Sequence, residues 1–185
     1  MFTVEALARA WGRWQREDDF PFSPDHCING TRVVVRALEK LGVTARPVSV
    51  HLLLFNRFAW DLFREGVGVE DWPDQAWSLG VGPDIAKGGG RWNGHLMAEG
   101  RGWTLDISAG QFNRPGRIIC PGPRVLPVLP QVGDLFLDDK HGQRLIVGRW
   151  ASNNGWRSAA GWLRLHGTEV REIVERTTAI MKGTR

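Results

Sequence analysis

Apolar residues recur at helical spacing from the start of the chain. Val4, Leu7, Ala8, Trp11 and Trp14 predict an amphipathic helix over residues 3–16. A second helix is expected from about Pro24 to Leu41, with Ser23 as cap, Pro24 and Asp25 in its first turn, and Gly42 ending it. Its inward stripe runs Cys27, Thr31, Val34, Leu38 and Leu41, so Cys27 heads the buried face. The Val- and Leu-rich segment from Arg46 to Phe55, entered through Pro47, reads as a buried strand. Residues 57–82 read as a short helix and an acidic, Trp-containing connection, and 87–94 as a Gly-rich loop. A hairpin is expected from His95 to Asp106, an irregular Pro- and Gly-rich connector over 115–133, and a second hairpin from Leu135–Leu137 and Arg144–Trp150. The chain closes with a helix at about 168–182, with Val170, Ile173, Val174, Thr177 and Met181 on one face. Helices first and strands later predict an α+β fold, and 185 residues suit a single domain over 1–185.

The first hairpin brings chemistry into the picture. If Gly100-Arg101 forms a two-residue turn, with Gly first as a type II′ turn requires, His95 lies directly opposite Asp106 and Glu99 opposite Gly102. Directly opposed residues have Cβ atoms about 4.5–5.5 Å apart, close enough for a carboxylate to orient an imidazole. In this register Leu96, Ala98, Trp103 and Leu105 share one face, packed on the core. His95, Met97, Thr104 and Asp106 share the other, turned towards the thiol.

A thiol, an imidazole and an orienting acid are the parts of a cysteine nucleophile system. A free thiol titrates near 8.5 and needs a helix start or an imidazolium beside it to react as thiolate at neutral pH. Taken alone, Cys27 reads as an inert core thiol, because free Cys is among the most buried residue types. The expected placement of His95 and Asp106 shifts that balance. The competing possibility is a His and an Asp on a solvated strand face, opposed by accident.

Composition sets bounds rather than adding chemistry. Apolar content of 42% and charged content of 24% are those of a soluble globular protein. Val48 to Phe55, broken by His51, is the longest apolar stretch and too short to cross a bilayer. There is no basic segment followed by an apolar run at the N-terminus, the pattern of a secretory signal. Two cysteines, Cys27 and Cys120, are too few for a disulfide framework, and the expected location is cytoplasmic. Residues 1–86 carry 9 basic and 12 acidic side chains, whereas 87–185 carry 15 and 8. The arginines of the second half are scattered rather than clustered, which argues against nucleic acid as a partner. The Gly88–Gly90 loop lacks the Gly-Lys-Ser/Thr ending of a phosphate-binding loop. His26, Cys27, His95 and Cys120 lack the paired spacing of a zinc site, so neither a metal nor a cofactor is expected.

The stretches Cys27-Ile-Asn-Gly, Ala37-Leu-Glu-Lys-Leu-Gly-Val-Thr-Ala-Arg46, Asn93-Gly-His-Leu96 and Leu105-Asp-Ile-Ser108 resemble the transglutaminase-like branch of the papain-like cysteine enzymes. The resemblance covers roughly residues 20–120 and leaves the strands and C-terminal helix of 121–185 without an assigned role. It implies N-terminal helices, with the Cys on one of them, packed on an antiparallel sheet carrying the other two residues. It also implies Cys27 as nucleophile, His95 as general base and acid, and Asp106 as orienting acid. The implied reaction is acyl transfer through a thioester on a peptide or amide substrate. The Cys27 N–H is one candidate oxyanion donor, with Asn29, His26, Trp92 and Asn93 as candidates for a second. Water is the expected acceptor. An acyl transferase of transglutaminase or arylamine acetyltransferase type would use the same triad, and an inactive binding or assembly protein would keep the fold without turnover. Oligomeric state is left open.

Overall fold

The computed structural model describes residues 3–16, 27–82, 94–112, 122–138, 142–158 and 168–182. Its elements are α1 (Val4–Trp14), α2 (Cys27–Lys40), β1 (Ala45–Phe55), α3 (Arg57–Arg64), β2 (Ser78–Val81), β3 (His95–Gly100), β4 (Trp103–Asp106), β5 (Arg124–Leu126), β6 (Asp134–Asp138), β7 (Arg144–Arg149) and α4 (Thr168–Lys182). The fold is α+β, a curled antiparallel sheet with a few helices. Among the described residues no helix is long and apolar enough to cross a membrane.

The sheet runs in the order β5-β4-β3-β1-β7-β6, with β2 added beside β1. Strand β1 is the centre. It pairs β3 from Ala45 to Val50, β2 from Leu52 to Phe55, and β7 from Val50 to Phe55. Its Val48, Val50, Leu52 and Leu54 are buried on one face, whereas His51 and Leu53 on the other are only partly covered.

Two cores lie on opposite faces of the sheet. On one, α1, α2 and α4 bury Leu7, Trp11, Trp14, Val34, Leu38 and Val174 against Ala98, Leu105 and Ile107. On the other, the sheet encloses Val48, Val50, Leu52, Leu54, Met97, Leu126, Leu129, Leu145 and Val147. The expected helices 3–16 and 168–182 are both present. Thr3 caps α1 by accepting from the Ala6 N–H at 3.2 Å. Val174 and Thr177 of α4 are buried, and Arg176 places its guanidinium 4.8 Å from the Trp14 ring centroid. The described residues of 121–185 therefore include three strands of this sheet and a helix packed on α1 and α2.

Two short strands break the sequence expectation. The 57–82 connection contains β2, and the 115–133 connector contains β5. Each is four residues or fewer and shows no alternation of its own. They are strands because β1 and β4 offer backbone partners to them.

The first hairpin also differs from expectation. Ala98 pairs with Leu105, Glu99 with Thr104 and Gly100 with Trp103, so the turn is Arg101-Gly102 rather than Gly100-Arg101. Gly102 takes φ +86°, and no other residue type adopts positive φ among the described residues. That combination fits a type II turn, which reserves its third position for a left-handed residue. Gly100 has a different duty. A Cβ there would fall 2.2 Å from the Trp103 ring, so the missing side chain makes room for the indole.

Candidate active site

Helix α2 is held against the sheet by its own second turn. A Cβ on Gly30 would lie 3.0 Å from Ile107 Cγ2, so glycine permits the close approach. One residue on, the buried Thr31 hydroxyl donates to the Leu96 carbonyl of β3 at 2.9 Å. Together they fix where Cys27, one turn back, meets β3. Cys27 is a free, buried cysteine packed with Leu96 and Trp156. The expected caps Ser23, Pro24 and Asp25 lie outside the described residues.

The corrected hairpin register sets the second half of the site. Because the slip is two residues, every side chain stays on its expected face. Ala98 and Leu105 pack on the helical core, Leu96 packs with Cys27, and Met97 enters the other core. His95 and Asp106 are no longer directly opposed, since the register that pairs Ala98 with Leu105, carried one residue further, sets Asp106 against Met97. They are diagonal neighbours, within reach of a ring side chain. His95 Nε2 lies 2.9 Å from Asp106 Oδ1. Neither residue is on a solvated face: His95 is 0% exposed and Asp106 2%.

Asp106 is itself oriented. Its Oδ1 accepts from the Ser108 N–H at 3.1 Å and lies 3.4 Å from the Ser108 hydroxyl. This local loop, a side chain bonded to the backbone two residues on, fixes the carboxylate before it meets the imidazole. The Gln15 amide donates to the Ile107 carbonyl at 3.0 Å and ties α1 to the same turn.

Electrostatics follow from burial and charge. Burial alone would depress the His95 pKa. The Asp106 charge, its hydrogen bond to the ring, and the hydrogen bond and charge of Cys27 outweigh burial and push it up to about 10. Asp106 and Cys27 therefore both favour the protonated imidazole, against the effect of its burial.

No protein-family model, curated protein or solved structure matches this chain. The chemistry of the site rests on its own geometry.

Of the oxyanion candidates, Asn29 is half-buried on α2, two positions from Cys27. Helical geometry turns it about 200° away, so the two side chains do not share a face. His26, Trp92 and Asn93 lie outside the described residues, as do Cys120, His141, His166 and the Gly88–Gly90 loop. His51, half-buried on β1, pairs with Asp134 of β6 at 2.7 Å. Among the described residues no group of three or more His, Cys, Asp or Glu is placed to hold a metal ion.

Three contributors were hidden in the sequence. Thr31 stands on the inward stripe, but its hydroxyl bond to Leu96 needs the helix–sheet packing to be visible. Ser108 belongs to the Leu105-Asp-Ile-Ser108 stretch, where an Asp two residues before a Ser is a readable turn signal. Trp156 sits in a segment with no periodicity and reaches Cys27 only through the tertiary fold.

Proposed function

We propose that this protein is a cysteine-dependent hydrolase of transglutaminase-like, papain-like type, acting on peptide or amide bonds through a thioester acyl-enzyme. The observation carrying this reading is the buried chain of contacts from Cys27 through His95 to Asp106, assembled from a helix and a hairpin distant in sequence.

Cys27 Sγ, as thiolate, attacks the carbonyl carbon and forms a C–S bond. The carbonyl electrons move to oxygen, which the Cys27 N–H can meet. Collapse of that adduct breaks the C–N bond, and His95 gives its proton to the departing amine. The neutral imidazole then takes a proton from water, the resulting hydroxide attacks the thioester carbonyl, and the C–S bond breaks. The products are a carboxylic acid and the free Cys27 sulfur, with the proton taken from water back on His95. Asp106 keeps the ring oriented and stabilises its charge throughout. A free catalytic thiol suits the reducing cytoplasm.

Incubation with p-nitrophenyl acetate tests the reading. A burst of nitrophenolate with an acetyl adduct on Cys27 by peptide mapping is expected, and Cys27→Ser should abolish both. Turnover with an added arylamine, giving the acetylated amine in preference to acetate, would move the reading to an acyl transferase with the same triad. A second reading, a binding or assembly protein without turnover, draws on the burial of Cys27, 6% exposed between Leu96 and Trp156. No burst and no adduct would favour it.

A further inference from the structure

Trp156, which clusters with Cys27 and Leu96, borders a cavity of about 370 Å³ whose walls also include Arg46, Ser49, Arg149, Asn154 and Arg157. Its volume is at the low end of small-molecule sites and exceeds what a lone ion fills. Trp156 belongs both to this wall and to the cluster around Cys27 and Leu96. Ser49 of β1 is paired with Leu96 of β3. The cavity therefore adjoins the proposed nucleophile through one indole and one strand pair.

Its charge is unbalanced. Three guanidinium groups line it, and Glu99 is the carboxylate that answers them. Arg149 donates to Glu99 and to the carbonyls of Leu129 and Pro130 at 3.0 and 3.1 Å, so it is fixed in place. Arg46 donates to Glu99 at 2.9 and 3.2 Å. Arg157 lies outside that cluster. Its guanidinium rests over the Trp156 ring, 5.3 Å from the centroid, and makes no ion pair among the described residues.

A second observation is independent of charge. Ser49 is 7% exposed, and its buried hydroxyl has no hydrogen-bond partner. A buried, unpaired hydroxyl is costly in a folded protein and calls for an explanation. Here it lines a cavity with an uncommitted guanidinium on the same wall.

We propose that this cavity is a carboxylate-binding subsite, in which Arg157 and the Ser49 hydroxyl receive a free carboxylate of the substrate while its amide carbonyl is presented to Cys27. The proposal rests on the hydrolase reading for the identity of the ligand as substrate. Guanidinium presents a planar fork of donors that fits a carboxylate with two parallel hydrogen bonds. The Ser49 hydroxyl adds a donor at the buried end. The substrate class is then an amide or short peptide bearing an acidic side chain or a free C-terminus close to the bond cleaved.

Glutarate is a suitable probe, because it has no scissile bond and binds whether or not Cys27 turns over. Calorimetric titration of the full-length protein at low ionic strength should show saturable glutarate binding and at least tenfold weaker binding of neutral glutaramide. Arg157→Ala should weaken glutarate at least tenfold and Ser49→Ala severalfold, with the urea midpoint of Arg157→Ala unchanged. No saturable binding, equal binding of glutaramide, or affinity indifferent to Arg157→Ala would overturn the proposal. The two readings fail separately. An acyl adduct on Cys27 without glutarate binding removes the subsite and keeps the hydrolase. Glutarate binding dependent on Arg157 without any adduct keeps a carboxylate site and removes the chemistry.

Discussion

Replacing His95 by Gln should change how stability depends on pH, and the sign is fixed by the site. The wild-type imidazole is raised to about 10 in the folded protein, against 6.5 for an unperturbed His. Between these values the folded state holds a proton that the unfolded state has released. Its contribution is complete below about pH 6.5, falls through the interval, and is gone once pH passes about 10. The slope from one such group is about −1.4 kcal/mol per pH unit, so roughly 2–3 kcal/mol should be lost between pH 7 and 9. Urea denaturation at pH 7, 8 and 9 gives this directly as the difference between wild type and His95→Gln. Other titrating groups are common to both proteins and largely cancel. Asp106→Asn is the second variant, should His95→Gln not fold. With the carboxylate charge removed, only Cys27 is left to offset burial, and the negative slope should shrink. A wild-type slope equal to that of both variants would refute the ion pair as the origin of the raised His95 pKa.

Three further outcomes follow from packing. Gly30→Val should drive α2 away from Ile107, costing about 1–3 kcal/mol in urea denaturation and slowing alkylation of Cys27 as Thr31 loses its bond to Leu96. Glu99→Ala should cost about 3–5 kcal/mol by thermal or urea denaturation, because it leaves Arg149, whose side chain is 11% exposed, without its carboxylate. Gly102→Ala should cost about 1–2 kcal/mol by urea denaturation, since an L side chain resists φ +86°.

Much of the fold was legible where periodicity is strong. Val4, Leu7, Ala8, Trp11 and Trp14 marked α1, the apolar run after Pro47 marked β1, and Leu135–Leu137 with Arg144–Trp150 marked the hairpin of β6 and β7. The strands β2 and β5 were not legible, because Ser78-Leu-Gly-Val and Arg124-Val-Leu carry no pattern and depend on neighbours far along the chain. The hairpin register turned on which of two glycines flanking Arg101 takes the left-handed position. Either permits a two-residue turn locally. The choice of Gly102 goes with the Trp103 ring lying over Gly100, a packing relation that sequence spacing does not reveal. The slip of two keeps His95 and Asp106 on one face, so their proximity is readable from the sequence with either turn. That His95 and Asp106 are buried, and that Ser49, Trp156 and Arg157 line one cavity, emerges only from the folded chain.

The most direct measurement is the rate of Cys27 alkylation by iodoacetamide at neutral pH, followed by peptide mapping to separate it from Cys120, in wild type and in His95→Ala. Cys27 should react faster than a free cysteine in the wild type and slow markedly in the variant. A rate no faster than free cysteine, and the same in both proteins, would contradict Cys27 as a nucleophile activated by His95.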